Sequence, residues 1–458
     1  MTLEMQAVGQ GFEFSAAAAR IAALRESVYN RPVEAGFLGA VGEIVMVLSS
    51  PRSGSSLLAS VLRRTDQVMN FQGAITPFLG MADLRYPVSG DTDALEARHA
   101  SLAPWLEPYL AQECGYPLDR LESQADRDQF AVDLAIRLCM QWPDIAFGIE
   151  DVRSATNHAL DETVRDFGWN DGEFRDPKLF HALLIRRLRP AYPELNPYLY
   201  DIDAAMIRDL MPDAPVVVTL PSGRFVEMPP LITIRPWRRA TAADLKGKPL
   251  VMKTVANTFR MPFLSALFPS ARMRVMHLTR SVAGSANGMY DGWMHAGFWA
   301  AHIVDGDLAI PGYSDRFPDW GRHWWKFGLF PGWQAHRTSS PVDIAAAHWR
   351  TCHETILAWL AAHPGQAADS IRVHGEDFLD NPHKKAGTLA RIADWLGVGM
   401  DEGLSYAAEN DLPLQLATVK PAPQRWRKRS DELAHILKDP RNGDLMVRLG
   451  YDPDPETW

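Results

Sequence analysis

The sequence predicts an α/β fold: a central parallel sheet flanked by helices, with a largely helical insertion that contains a β-hairpin. Two observations predict it. The stretch IVMVLSSPRSGSSLLASVL (44–62) reads as a buried strand, a tight polar turn and a helix. Two further apolar runs, PLVMKT (249–254) and MRVMHLTR (273–280), alternate with helical stretches. Strands that alternate with helices require crossover connections and therefore a parallel sheet.

Taken in order, residues 15–29 form a short amphipathic helix, 43–50 a strand and 54–64 the helix after the turn. Residues 92–112, 118–139 and 155–167 are rich in alanine or leucine and mainly helical, and PKLFHALLIRRL (177–188) is a further helix. In APVVVTLPSGRFVEMPPLITIRPW (214–237), two β-rich runs flank Pro221-Ser222-Gly223, the pattern of a hairpin. FRMPFLSALF (259–268) is helical, and VAGSANGMYDGWMHAGFW (282–299) reads as one helix despite its glycines. Residues 305–340 are irregular and rich in Trp, Gly and Pro. A loop of that length is functional or disordered, and its aromatic content favours order. A long amphipathic helix (341–363), a strand with a turn (370–379) and a helix (383–398) follow, before a tail with the basic run QRWRKR. There are no repeats.

Composition bounds the function. The chain has 458 residues, 47% of them hydrophobic, enough for one α/β core with large insertions or for two or three domains. We expect a single domain over 1–458, with 66–248 as an insertion on the side of the second substrate. The net charge of −9 provides no global positive field for nucleic acid. Cys114, Cys139 and Cys352 have neither metal-ligand spacing nor a disulfide pattern, which points to a reducing cytoplasm. No leader pattern and no run of about 18 apolar residues is present, so no membrane span is expected.

The turn at Pro51–Ser56 has the make-up of an anion site. A helix starting inside it leaves backbone N–H groups unpaired, and the helix dipole adds positive potential. Gly54 permits close backbone approach, Ser53, Ser55 and Ser56 add hydroxyls, and Arg52 adds a planar cation suited to bidentate phosphate contact. A plain strand-to-helix turn with serine caps has the same outline. The nucleotide-hydrolysing motif G-x-x-x-x-G-K-[ST] is absent, so a kinase or NTPase is poorly supported and no metal is expected.

SSPRSGSSLL resembles the 5′-phosphosulfate loop of sulfotransferases that use 3′-phosphoadenosine-5′-phosphosulfate (PAPS). PLVMKTVANTFRMPFLSALFPSARMRVMHLTRSVAGSANGMY (249–290) resembles the strand-helix-strand unit of that family. SIRVHGEDFLDNPHKKAGTLARIADWLGV resembles a later segment and QRWRKR its C-terminal basic motif. WWKFGLFPGWQ…AAAHWRTCHETILAWL resembles bacterial members. The resemblance covers about 44–65 and 249–430, in the family's order.

The resemblance implies a fold with a P-loop-like nucleotide site, PAPS as sulfuryl donor and its bisphosphate (PAP) as product. It places Arg280 on the 3′-phosphate. The family's serine eight residues later is Gly288 here, which leaves Ser285 as the nearest candidate. It places Arg425, Trp426, Arg427 and Lys428 over the nucleotide and Lys253 beside the bridging oxygen. Lys253 is equally a plain lysine at a strand end. The general base departs from the family: Val255 stands where animal members have histidine, and NFQGAITPF carries no acid. Asp291 and His295, four residues apart on the expected helix, are the leading candidates, and each is more often a structural residue. His323 follows, and His277 is expected to be structural. Glu376 and Asp377 are expected to build a turn or cap. RRLRP (186–190) and RPWRR (235–239) are expected to be solvated faces, or a site for an anionic acceptor. The aromatic run Trp320, Trp324, Trp325, Phe327, Phe330 and Trp333 is either a lid over an apolar acceptor or a satellite core.

The function expected is therefore sulfuryl transfer from PAPS to a hydroxyl or amine of a small molecule such as a secondary metabolite. The alternatives are a PAP- or PAPS-binding protein without catalysis, and a sulfotransferase acting on a glycan or peptide.

Overall fold

Strand β1 (Glu43–Leu48) carries five consecutive apolar residues, so both of its faces need cover. The computed structural model, which describes residues 15–28, 36–216, 225–303, 305–380, 382–411, 414–454 and 457, provides that cover. Ile44, Met46 and Leu48 pack into one apolar cluster, and Val45 and Val47 into another on the opposite face. Burying each such side chain contributes roughly 1.5–3 kcal/mol. The helix Ser55–Leu62 turns Leu58, Val61 and Leu62, which share one helical face, onto the second cluster.

The remaining described strands are β2 (Met69–Phe71), β3 (Cys114–Pro117), β4 (Trp237–Arg239), β5 (Leu250–Lys253), β6 (Arg272–Thr279), β7 (Trp299–His302), β8 (Trp324–Lys326) and β9 (Ile371–His374). Seven strands form a mostly parallel sheet in the order β4-β3-β2-β5-β1-β6-β9, and β7 pairs with β8 apart from it. The expected α/β class is therefore the observed one. Only β3, near one edge, runs against the other six strands, so its pairings with β2 and β4 are antiparallel. Central β1 aligns Val47 with Lys253 of β5 and Leu48 with His277 of β6. The carboxyl ends of β1, β5, β6 and β9 thus open on one crevice, the usual ligand position in such sheets.

Two expectations change, and three short strands were not foreseen. The hairpin's turn and most of its first run lie outside the described residues. Its second run is no strand: 225–236 makes one bridge, Tyr200 to Leu231. Pro229 and Pro230 have no N–H to give a ladder, and the Glu227 carboxylate takes the Ile232 N–H instead. The helix expected over 282–299 spans Val282–Trp293. Its last turn is closed by buried Lys326, whose ammonium donates to the carbonyls of Gly292 and His295. Strands β2, β3 and β4 have three or four residues each, too few to show a period.

His181, His277, His348 and His353 are buried, and His277 meets His353 at 2.9 Å, Nε2 to Nδ1. Burial pushes His181 down to about 4 and His348 and His353 to about 3, and holds His277 well below its ordinary value. The unfolded chain takes up these protons near pH 6.5, before the folded one does. This stability is full above pH 6.5 and is lost toward the folded values, by up to about 1.4 kcal/mol per histidine per pH unit. Asp93 and Asp133, raised by burial, act in the opposite direction but are fewer. Thermal melts should therefore show a steep fall in Tm from pH 7 to pH 5. A flat profile would show that the imidazoles are not held neutral.

Candidate functional site

The loop after β1 is strained where it turns. Arg52 has φ 64, a left-handed backbone that arginine rarely adopts, and Gly54 has φ 92. A side chain at Gly54 would meet nothing within 4 Å, so glycine serves the turn itself and leaves the backbone open to approach. Packing around the loop is much closer. A Cβ at Gly375 would lie 2.4 Å from the Ser53 carbonyl oxygen, and one at Gly288 would lie 3.0 Å from the Arg52 Cβ. Gly288, the departure from the family pattern, makes room for Arg52. Ser50 and Ser53 share a hydroxyl hydrogen bond of 2.8 Å inside the turn.

Four cations from separate segments converge here. Arg52 follows β1, Lys253 ends β5, Arg280 follows β6 and Arg425 opens the one-turn helix Arg425–Arg429. All four line a cavity of about 800 Å³, together with Ser53, Gly54, Ser55 and Ser56. Arg280 and Arg425 also line an adjoining cavity of about 540 Å³, where Trp426, His374, Glu376 and Lys384 face them. The Lys253 ammonium donates to the Ser56 hydroxyl at 2.9 Å, and Arg280 Nη1 donates to the Arg52 carbonyl at 2.7 Å. Burial, then Arg63 and Arg52, push Lys253 down to about 8. Burial, then Arg280 and Arg425 against the pull of Asp291, push Arg52 down to about 10. Cations held below their ordinary values favour an anion between them.

Other expected residues fall elsewhere. Asp291 and His295 do not share a helix face, because the helix ends at Trp293. Asp291 pairs with Arg425 (2.6 Å) and Arg429 (3.1 Å), which ties its carboxylate to the C-terminal segment. His295 is exposed past the helix end, and desolvation, then Lys326 and Arg52, lower its pKa. Ser285 is fully buried, lines neither cavity, and its hydroxyl has no partner among the described residues. Trp426 is buried and lines the smaller cavity, whereas Arg427 and Lys428 are exposed and line neither. His277 is the buried structural residue expected, and His323 stacks on His302. Glu376 accepts the Ser281 N–H and the Tyr451 hydroxyl, and Asp377 accepts the Thr388 hydroxyl.

The aromatic run resolves as core: Trp320, Trp324, Trp325, Phe330 and Trp333 are buried, and only Phe327 reaches the large cavity. The basic clusters pair with acids, Arg186 and Arg187 with Glu162 and Arg235 with Asp119. Among the described residues, none of 66–248 lines the large cavity. That stretch meets lining residues through Asp201, which accepts the Leu416 N–H at 3.1 Å, and through the Pro229 carbonyl, which accepts the Phe298 N–H at 2.8 Å. Asn70, Phe71, Gly73 and Ile75 instead line a cavity of about 20 Å³ that also touches Lys253.

Sequence reasoning missed the strap Leu414–Pro421. Arg52 Nη1 donates to its Leu416 carbonyl at 2.7 Å, and Nη2 to Thr418 Oγ1 at 3.3 Å. It also missed Phe298, whose ring lies 5.2 Å from the Arg52 guanidinium. The readable signal was Gly288 and Gly292, two glycines on one helix, which mark close approach. Among the described residues no helix is long and apolar enough to cross a membrane, and no cluster of potential metal ligands occurs.

No family profile and no curated protein matches the chain. Two solved structures do. The sulfotransferase domain of the Synechococcus PCC 7002 olefin synthase is 14% identical, with a TM-score of 0.34, over 90% of this chain and 96% of that one. The sulfotransferase domain from the curacin biosynthetic pathway is 12% identical, with a TM-score of 0.32, over 90% of this chain and 99% of that one. Likeness at this level carries no functional argument, which rests on the site itself.

Proposed function

We propose that this protein is a sulfotransferase that takes its sulfuryl group from PAPS and passes it to a hydroxyl or amine of a small molecule. The observation that carries this reading is the convergence of Arg52, Lys253, Arg280 and Arg425 on one cavity beside a helix-starting loop. The residues fit a donor with phosphates at two positions. The loop at Ser53–Ser56 faces one end, while Arg280 and Arg425 stand where the two cavities meet. Arg280 Nε is buried with no hydrogen-bond partner among the described residues, so it has a donor to spare.

When bound, the donor supplies a sulfuryl group whose bond to a phosphate oxygen breaks as a bond to the acceptor oxygen or nitrogen forms. The acceptor's proton would pass to solvent, and the electron pair of the broken bond would stay on the phosphate oxygen of the departing bisphosphate. The chain's part is to hold that charge. Arg52 and the N–H groups at the helix start present fixed donors, and the Lys253 ammonium reaches the same place through Ser56. Arg280 and the Ser53–Gly375 packing keep the loop in its strained shape.

Arg280→Ala is expected to weaken adenosine 3′,5′-bisphosphate binding about 10- to 100-fold, the loss of one charge-assisted contact. Calorimetric titration of both proteins measures it, and equal affinities would remove Arg280 from the 3′-phosphate. In the wild type, the bisphosphate should raise Tm, whereas ATP with Mg²⁺ should not. The opposite pattern would favour an NTPase. PAPS left unconsumed over a broad acceptor panel would favour a binding protein.

A further inference from the structure

Phe298 and Phe327 have φ 59 and 64, a backbone region that phenylalanine rarely adopts. The two strained residues are adjacent in space. Their rings stack at 5.2 Å with 24° between planes, and Phe327 N–H donates to the Phe298 carbonyl at 2.9 Å. Both rings are partly exposed, and the side they expose is cavity wall.

The pair is fixed from behind. A Cβ at Gly292 would lie 2.2 Å from the Phe327 ring, so only glycine admits that ring. The turn between Gly292 and Phe298 hangs on Lys326, wholly buried beside the rings of Trp299, Trp320 and Tyr313. A strained backbone with so much rigid support holds a side chain in a set place. In front, Phe298 meets the Arg52 guanidinium, and Val255 and Gly288 line the same cavity. Neither adds a polar side-chain atom. Among the described residues, the carboxylate on the cavity wall is that of Asp411, which precedes the strap in the chain.

We propose that the Phe298–Phe327 stack is the platform for the sulfuryl acceptor, and that the acceptor is a flat apolar alcohol, phenolic in the simplest case. Its ring lies on the stacked phenylalanines and its hydroxyl points to the Lys253–Ser56 end of the loop. This deepens the sulfotransferase reading and rests on it for the donor. The platform itself rests on the two rings.

The test is calorimetric titration of the full chain with 2-naphthol, with glucosamine as the polar comparison, and separately with adenosine 3′,5′-bisphosphate. The variants are Phe327→Asn, which removes the ring but tolerates a left-handed backbone, and Phe298→Leu, which keeps apolar bulk. We expect wild type to bind 2-naphthol and not glucosamine. Phe327→Asn should weaken 2-naphthol at least 10-fold while bisphosphate affinity stays within about 3-fold, in line with the loss of one aromatic contact. Phe298→Leu should weaken 2-naphthol less than Phe327→Asn does. If 2-naphthol binds equally to wild type and both variants, or not at all, or if glucosamine is the better ligand, the platform is overturned. If 2-naphthol binding depends on Phe327 but the bisphosphate does not bind wild type, the platform stands and the donor reading falls.

Discussion

Lys253→Met is expected to lower the rate of sulfuryl transfer by about 10²–10³-fold, the cost of removing one fixed donor from a site of developing charge. The reason is its position. Lys253 ends β5 opposite Val47 of β1, and its ammonium reaches Ser56 in the first turn of the next helix. It can therefore meet charge on a leaving phosphate oxygen without moving. Affinity for the bisphosphate should change much less, because Arg52 and Arg280 remain. Pre-steady-state rates with PAPS, beside titration with the bisphosphate, separate the two quantities. An equal loss in both would make Lys253 a binding residue only.

The same lysine sets a pH limit. Its pKa in the free protein is pushed down to about 8, so the ammonium is full below that value and is lost above it. The profile of kcat/KM, which reports the free enzyme, should fall as pH rises through about 8. In Lys253→Arg, where the cation persists, that alkaline limb should move to higher pH. A wild-type profile that stays level to pH 9.5 would count against the role.

Arg137→Met is expected to destabilise the fold by about 3–5 kcal/mol, the range for breaking a buried ion pair from one side. Arg137 is 2% exposed and bridges two carboxylates, Glu113 at 2.6 Å and Glu227 at 3.0 Å. Burial pulls its pKa down, but Glu113 and Glu227 outweigh that and hold it above the ordinary value. Without the guanidinium, Glu113 and Glu227 lose the cation that bridges them, and among the described residues Glu227 keeps only the neutral donors Gln141 and Ile232 N–H. Urea unfolding should show a lower midpoint with an unchanged slope. Adding Glu113→Gln and Glu227→Gln should recover most of the loss, because the uncompensated charge then goes. A single variant within about 1 kcal/mol of wild type would show that the network relaxes or admits water. Arg137 also stands near the site: a Cβ at Gly73, which lines the small cavity together with Lys253, would lie 3.1 Å from Arg137 Nη1.

The parts of this protein that were legible in the sequence are local ones. Strands β1, β5 and β6 were legible because each is a short apolar run beside a helix. Arg52 was legible from the polar turn after β1, and Lys253 and Arg280 from strand ends that resemble those of a known family, where a parallel sheet opens its crevice. Pairing of distant residues was not legible. The end of the helix at Trp293 depends on Lys326, and the engagement of Asp291 depends on Arg425 and Arg429. The strap on Arg52 comes from Leu416 and Thr418, and the hairpin pattern over 225–236 gave way to Glu227 and two prolines. By itself the sequence determined the sheet's central strands and the polar loop that starts a helix after β1, because strand burial and helix starts are written in consecutive residues. Only the tertiary structure decided which acids are occupied, which aromatic residues are core and which two stand strained at the cavity wall. Those outcomes follow from contacts between segments far apart in the chain, and such contacts leave no period in the sequence.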